Sequence, residues 1–301
     1  MHHELRERGT GAAELRSGKG HRDENFPVAS WLIRPQHRGP ILAFYEFVRV
    51  ADDIADHAAL PATEKLALLD RLEDGLMGRA EPEPVAARLR SALGKHRLSP
   101  RHAQDLLTAF RMDVTKLRYR DWDDLIHYCS YSAMPVGRFV LDVHGESRAT
   151  WRANDALCAA LQIINHLQDC GKDYRNLDRV YVPQDALARH RTGVETLGEP
   201  KASPALRGCL AELAARTAAL LGEADAFSGQ VADLRFGLEI AVIHRVAQQL
   251  TRMLMRRDPL SERVHLGTAG FAGFGLLGAV DELGRRAGRF LGVGRHKAQD
   301  A

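Results

Sequence analysis

Apolar residues recur every three or four positions along most of this chain, and in two segments acidic residues continue the same spacing. In the first segment Ile41, Phe44 and Val48 are followed by Asp52 and Asp56. Such a period predicts a long amphipathic helix. Carboxylates at positions i and i+4 of a helix repel each other, and burying them beside apolar neighbours is costly unless a cation neutralises them. The pattern therefore favours helices whose acidic ends share a cation-binding interior.

The second segment extends this pattern over three positions. Asn165, Asp169 and Asp173 stand at i, i+4 and i+8, so their side chains project from one face along about 12 Å of helix. Leu161 and Leu167 occupy adjoining faces and anchor the helix in a core. A carboxamide and carboxylates offer the oxygen ligands that Mg²⁺ prefers, and Mg²⁺ commonly completes its shell with phosphate and water. Two such clusters facing each other predict a site for magnesium and a diphosphate.

The rest of the chain has the same helical period, interrupted by proline and glycine. The only strand-like piece is 180–182, which ends at Pro183. We expect one all-α domain over residues 23–285, with a disordered polar tail at 1–22 and a basic tail at 286–301. Helix breaks are predicted at five places: Pro61, 81–84, Pro100, Gly145 and 193–204.

Composition limits the classes of partner. The formal net charge of +3 over 301 residues gives no reason to expect a nucleic-acid partner. The four cysteines show no CxxC spacing and fall inside helical patterns, which favours reduced thiols in the cytoplasm. The polar N-terminal residues do not resemble a secretory signal. The weakly polar run 266–280 is too short to span a bilayer, so we expect a buried C-terminal helix, with shallow contact at a membrane surface as the alternative.

Three motifs together resemble the squalene and phytoene synthase family of trans-prenyl synthases. They are the segments 45–56, 128–137 and 161–173, and the last is followed by R-x-Y-x-P at 179–183. The resemblance extends from about residue 25 to about residue 260. It implies an isoprenoid synthase bundle, all helical, with a central active-site cavity.

The resemblance also implies roles for individual residues. The implied Mg²⁺ ligands are Asp52, Asp56, Asn165, Asp169 and Asp173. The implied catalytic residues, acting on the diphosphate or near the reacting carbons, are Arg49, Tyr45 and Tyr128. The implied substrate contacts are Phe26, Arg49, Val136 and Gly137 in the prenyl tunnel, and Arg179 and Tyr181 in a flap over the site. Asp113 stands where the family has another acid near the metal.

Some positions depart from the common family pattern. Gln168 replaces a frequent arginine, Glu24 replaces a basic residue, and Pro135 is expected to kink a helix beside the tunnel. These changes reduce positive charge and reshape the cavity, which argues against a simple condensation of two farnesyl diphosphates. The segments around residues 24–30 and 165–174 most resemble the bacterial subgroup that makes hydroxysqualene for hopanoids.

That subgroup resemblance implies a specific reaction. Presqualene diphosphate, a lipid substrate made by a sister enzyme, would be ionised, and the resulting carbocation would rearrange and be captured by water. NADPH is not expected, and the protein would be cytoplasmic, with transient contact with presqualene diphosphate synthase and the inner membrane left open. The alternatives are a squalene, dehydrosqualene or phytoene synthase that condenses farnesyl or geranylgeranyl diphosphates. A non-catalytic lipid-binding or assembly relative would be expected to lose metal ligands, and both clusters are complete.

Overall fold

The computed structural model describes residues 34–267, 273–275 and 277–285, and these residues form a single all-α domain, as predicted. The tails at 1–22 and 286–301 lie outside the described residues, so the domain limits stay predictions. The named helices, in chain order, are α1 (Pro35–Asp56), α2 (Ala62–Met77), α3 (Pro84–His96), α4 (Arg101–Thr115), α5 (Trp122–Ser132), α6 (Met134–His144), α7 (Trp151–Leu177), α8 (Gln184–Arg189), α9 (Pro204–Glu223), α10 (Phe227–Gln230) and α11 (Leu234–Leu254). Residues 277–285 are also helical.

Proline and glycine set the helix ends where the sequence places them. α2 begins directly after Pro61, and α3 begins at Pro84. Proline suits a first helical turn, because its missing N–H has no partner there. α6 ends at Gly145, which adopts the left-handed conformation with φ of +70°. The helix boundaries predicted at these positions are confirmed.

The predicted kink at Pro135 is wrong. α5 ends at Ser132, and α6 begins two residues later with Pro135 in its first turn. The intervening Ala133 has φ of −127° and ψ of −47°, outside the regular helical conformation. The chain therefore forms two separate helices instead of one kinked helix. Pro135 lies in the first turn of the second helix, where a proline breaks no hydrogen bond.

Two apolar clusters form the core. One is formed mainly by the four helices α1, α2, α3 and α4, and its fully buried members include Phe47, Leu72 and Leu107. The other surrounds α7, which packs on α6, α9 and α11. Phe139 of α6 belongs to the first cluster and stacks on Phe44 of α1, with ring centroids 4.0 Å apart. α6 therefore connects the two halves of the core.

Two loops lie side by side near the ends of α1 and α7. Arg118 and Val180 form an isolated parallel bridge, in which the Val180 N–H donates to the Leu117 carbonyl at 2.9 Å. The Gln184 N–H donates to the Tyr119 carbonyl, also at 2.9 Å. The strand-like piece seen in the sequence is thus extended and fixed in place, although it forms no sheet among the described residues.

The C-terminal segment is only partly described. Within residues 34–267, 273–275 and 277–285, no helix is both long and apolar enough to cross a membrane. Leu277, Val280 and Leu283 are about half exposed, whereas Glu282 is fully buried. The described helix at 277–285 is therefore buried on one face and exposed on the other. The four cysteines, at 129, 158, 170 and 209, form no disulfide.

Candidate active site

A cavity of about 540 Å³ is lined by residues from α1, α4, α6, α7 and α11. On α1 its lining residues change from apolar to acidic along one stripe, through Phe44, Val48, Asp52 and Asp56. These four residues follow an i, i+4 spacing, so they lie on one face of α1, and that face lines the cavity. The C-terminal end of a helix carries partial negative charge, which adds to that of the acids. The α1 carboxylates are thus concentrated at the C-terminal end of the helix, in a cavity whose lining is largely apolar.

Arg49 organises the acidic residues of α1. Its guanidinium donates to Asp52 Oδ2 at 2.9 Å and to Asp53 Oδ1 at 3.1 Å. Burial and repulsion from Asp56 raise the pKa of Asp52 to about 7, although Arg49 opposes the shift. Arg49 thus pairs with two of the three α1 carboxylates, and with a pKa near 7 Asp52 is only partly ionised at neutral pH.

The second cluster faces the first across the cavity. Asn165 and Asp173 of α7 line the same cavity as Asp52 and Asp56. Burial, followed by repulsion from Asp169 and from Asp56, raises the pKa of Asp173 to about 7. The effect of Asp56 on Asp173 is exerted between two different helices. The structure therefore brings the two predicted clusters together, although Asp169 does not itself line the cavity.

Arg179 is buried in the cavity wall, in the loop between α7 and α8, and its place in a flap over the site stays a prediction. Its guanidinium donates to the carbonyl of Ala55 at 3.0 Å, to Asp56 Oδ1 at 2.5 Å, and to the carbonyl of Asp113 at 3.0 Å. Tyr181 is buried as well. The paired loops place Arg179 against the end of α1, where it fixes that end and orients Asp56.

Asp113 lies beneath this arginine and accepts hydrogen bonds from two tyrosines. The Tyr128 hydroxyl donates to Oδ2 at 2.9 Å, and the Tyr181 hydroxyl donates to Oδ1 at 2.7 Å. Burial raises the pKa of Asp113 to about 6, although Arg179 and both hydroxyls act against the rise. Burial also raises the pKa of each tyrosine well above its ordinary value. Both tyrosines are therefore neutral and present their rings to the cavity.

His166 belongs to the same wall, although no role is predicted for it from the sequence. Its ring stacks on Tyr181, with centroids 3.5 Å apart and planes 14° apart. Burial lowers the pKa of His166 to about 3, so the ring is uncharged. Its Nε2 lies 3.1 Å from the side-chain nitrogen of Gln162, one turn earlier on α7. The sequence signal that could have identified His166 is its i, i+4 spacing from Gln162, on the helix face next to Asn165.

The remaining predicted contacts divide into two groups. Tyr45, Val136 and Gly137 line the cavity. A Cβ at Gly137 would lie 2.0 Å from Asn154 Oδ1 and 2.6 Å from Cys158 Sγ, so glycine is needed where α6 approaches α7. Phe26 lies outside the described residues.

The donor set at the polar end suits a hard divalent cation. The side chains are carboxylates and one carboxamide, with no thiolate or imidazole in the set. Mg²⁺ binds such oxygens and retains coordination positions for phosphate. Burial, and then repulsion from neighbouring carboxylates such as Asp56, raises the pKa values of Asp52 and Asp173, and a bound cation would relieve that repulsion.

Comparison with protein families gives one match that covers most of the chain. The family model described as squalene/phytoene synthase matches residues 20–269. Hydroxysqualene synthase from Rhodopseudomonas palustris is 62% identical over 280 residues, which cover 92% of this chain and 95% of that protein. Hydroxysqualene synthase from Sinorhizobium fredii is 55% identical over 278 residues, with the same coverage of 92% and 95%.

Solved structures agree on the fold. Squalene synthase HpnC from Alicyclobacillus acidocaldarius superposes with a TM-score of 0.69 at 29% identity, covering 81% of this chain and 92% of that chain. A dehydrosqualene synthase solved in complex with a ligand gives a TM-score of 0.74 at 21% identity, covering 89% and 94%. The second similarity, at its low identity, concerns the fold alone.

Proposed function

This chain belongs to the squalene/phytoene synthase family, and we propose that it converts presqualene diphosphate into hydroxysqualene with Mg²⁺ as its cofactor. It is an enzyme that processes a prenyl diphosphate. One observation carries the specific proposal: two acidic clusters on separate helices face each other at one end of an apolar cavity. The similarity to two proteins named hydroxysqualene synthase supports the choice of product.

Five oxygen-donor side chains would hold the metal. They are Asp52, Asp56, Asn165, Asp169 and Asp173. When bound, Mg²⁺ supplies Lewis-acid stabilisation to the oxygens of a departing diphosphate. Asp169 would act as a ligand only after its side chain turns toward the cavity, or through water, because it is not among the lining residues.

Arg49 and Tyr45 would contact the diphosphate. Both line the polar end of the cavity, one turn apart on α1. The bond that breaks joins a prenyl carbon to the diphosphate oxygen, and the electron pair leaves with the diphosphate. A guanidinium held at the place where that negative charge develops stabilises the transition state more than the ground state. Arg179 would keep Asp56 oriented through its buried ion pair.

The apolar and aromatic walls would control the carbocation. Residues such as Phe44, Leu157 and Ile240 exclude bulk water from the part of the cavity where the hydrocarbon would lie. The neutral ring of Tyr128 would offer an electron-rich face to positive charge, worth roughly 0.5–2 kcal/mol, whereas the Tyr181 ring is stacked between His166 and Tyr119 and would support that wall. The cyclopropylcarbinyl cation left by ionisation would rearrange there, its ring bonds breaking and re-forming to give an open-chain cation. One admitted water would then donate an oxygen lone pair to that cation to form the new C–O bond. Its proton would leave to the released diphosphate.

Other requirements of the reaction follow from this scheme. Water capture consumes no hydride, so NADPH is not required. The lipid substrate would come from presqualene diphosphate synthase through transient contact between the two enzymes. The half-exposed Leu277, Val280 and Leu283 follow an i, i+3, i+6 spacing and support a cytoplasmic protein that rests peripherally on the inner membrane.

Product analysis tests this function. Purified protein with Mg²⁺ is incubated separately with presqualene, farnesyl and geranylgeranyl diphosphates, with and without NADPH. The proposal predicts hydroxysqualene from presqualene diphosphate alone, in equal yield without NADPH. Squalene formed only with NADPH, dehydrosqualene, or phytoene from geranylgeranyl diphosphate would each assign the chain to another branch of the family. No product from any substrate would favour a non-catalytic relative.

A further inference from the structure

A second group of metal-ligand side chains lies at the other end of α1. His37, His144 and Asp233 each place one ligand atom within 4.8 Å of the ligand atoms of the other two. They come from the start of α1, the last residue of α6 and the residue that caps α11. His37 is fifteen residues before Asp52, about 22 Å along the same helix. This group is therefore separate from the acidic clusters of the active site.

We propose that His37, His144 and Asp233 bind a transition-metal ion of the Zn²⁺ class. Two imidazoles and one carboxylate form a common zinc ligand set, with water in the fourth position. Mg²⁺ prefers oxygen ligands only, so this set would select a different cation from the one in the active site.

The ligand from α6 is already oriented for metal binding. His144 Nδ1 lies 2.9 Å from the carbonyl of Val140, so its N–H donates there and Nε2 keeps its lone pair. A hydrogen bond of this kind fixes the tautomer and ring direction of zinc-binding histidines. The other face of the His144 ring stacks on Phe236 at 4.4 Å, which further restricts its rotation.

The carboxylate is held just as firmly. Asp233 Oδ1 accepts the N–H groups of Arg235 and Phe236 at 2.8 and 3.2 Å, as the N-cap of α11. The Asp233 N–H itself donates to Glu146 at 2.9 Å. These bonds leave the remaining lone pairs of the carboxylate for a cation. Oδ2 currently pairs with the Arg34 guanidinium at 2.9 Å.

Only small movements would complete the site. Imidazoles on a tetrahedral zinc have ring centroids about 5 Å apart, from the usual Zn–N distance, and those of His37 and His144 are 4.4 Å apart. The competing partners of the ligands, Arg34 on Asp233 and Gln36 beside His37, are both exposed and can turn outward.

Phe236 connects this group to the cavity, because it both stacks on His144 and lines the apolar end. An ion here would join the ends of three helices and fix the residues that close the tunnel opposite the diphosphate. The expected consequence is thermal stability and a fixed tunnel depth. The metal would have no direct part in catalysis.

Zinc binding to the full-length protein tests the proposal. Chelator-treated protein is titrated with Zn²⁺ in excess Mg²⁺, which keeps the acidic clusters of the active site occupied. Bound zinc and Tm are measured for the wild type, His144→Ala, Asp233→Asn and the control His127→Ala, an exposed histidine on α5. Asparagine is itself a good N-cap, so Asp233→Asn removes the charged ligand and keeps the start of α11.

We expect the wild type and the control to bind one more tightly held zinc than either ligand variant, and to gain several degrees in Tm. Zinc affinity at this site should fall at least a hundredfold in each ligand variant, beyond the ten- to hundredfold typical of losing an orienting partner. Equal zinc content and equal Tm shifts in all four proteins would overturn the proposal. Titrating Asp233→Asn separately keeps the test decisive if His144→Ala does not fold.

Discussion

Asp258 and the aspartates at the polar end of the cavity behave in opposite ways in this molecule. Asp258, in the loop after α11, accepts hydrogen bonds from the Ala202 and Leu260 N–H groups at 2.9 Å and from the Ser261 hydroxyl at 2.7 Å. Burial acts to raise its pKa, but these hydrogen bonds outweigh burial and the pKa is lowered. At the polar end of the cavity, burial and repulsion between carboxylates raise the pKa values of Asp52 and Asp173 to about 7.

The contrast separates structural carboxylates from functional ones. An acid surrounded by donors is satisfied by the protein and stabilises the fold. An acid facing other acids lacks compensation until a cation binds, so the fold gives up stability to keep it there. The neighbours of each carboxylate therefore decide the direction in which its pKa moves.

The largest expected effect is the loss of turnover in Asp173→Asn. This change removes a proposed metal ligand, so turnover should fall at least about a hundredfold. Without Mg²⁺ its Tm should rise, because a repelled carboxylate is gone. The gain is on the order of 1 kcal/mol, since each pKa unit corresponds to about 1.4 kcal/mol and solvent screens part of it. Activity assays and thermal melts measure both effects.

Asp123→Asn, an exposed acid in the first turn of α5, is the matched control for that variant and should change neither quantity much. Full activity in Asp173→Asn would contradict the assignment of Asp173 to the metal site. A lower Tm in the absence of Mg²⁺ would contradict the repulsion argument.

The next effect concerns Asp258→Ala, which should lower stability and spare catalysis. Three donors would lose their charged acceptor, and a loss of about 3 kcal/mol in the free energy of unfolding is expected. Turnover per folded molecule should stay within about twofold of the wild type. Urea unfolding and active-site-normalised kinetics measure the two quantities. An activity loss as large as that of Asp173→Asn would remove the distinction between the two groups.

The smallest effect is a slope of stability with pH in the absence of metal. Asp52 and Asp173 have pKa values raised from 3.8 to about 7, so between about pH 4 and pH 7 the folded protein binds more protons than the unfolded chain. Their contribution to stability is therefore present at the acidic side and is lost as pH rises to 7. Asp113, raised to about 6, contributes in the same direction.

Denaturant unfolding at a series of pH values measures this slope. Saturating Mg²⁺ should reduce it, because the metal binds the ionised carboxylates. The double variant Asp52→Asn/Asp173→Asn should reduce it without metal. An unchanged slope in the double variant would show that other groups cause it.

The sequence predicts the helices well because their signals are local. Pro61, Pro84 and Gly145 set boundaries through backbone properties that neighbours hardly change. The alignment of Asp52 with Asp56 and of Asn165 with Asp173 follows from helical period alone. That the two clusters would face each other came from family resemblance, since spacing within a helix says nothing about its neighbours.

The features that sequence reasoning missed depend on contacts between distant segments. Arg179 reaches Asp56, 123 residues away, because the loop at 178–185 pairs with 117–120. An R-x-Y-x-P motif contains no information about that pairing, and the family resemblance implies only a flap over the site. The stacking of His166 on Tyr181 has the same origin. The metal-ligand group at His37, His144 and Asp233 joins the ends of three helices and has no sequence spacing to reveal it.

Crystallography with Mn²⁺ and diphosphate tests the central claim most directly. Anomalous scattering locates the manganese ions independently of any assumed ligand. The account predicts peaks between α1 and α7, coordinated on one side by Asp52 or Asp56 and on the other by Asn165 or Asp173, with diphosphate oxygens completing the shell. Peaks confined to surface carboxylates, with none shared by the two helices, would contradict it.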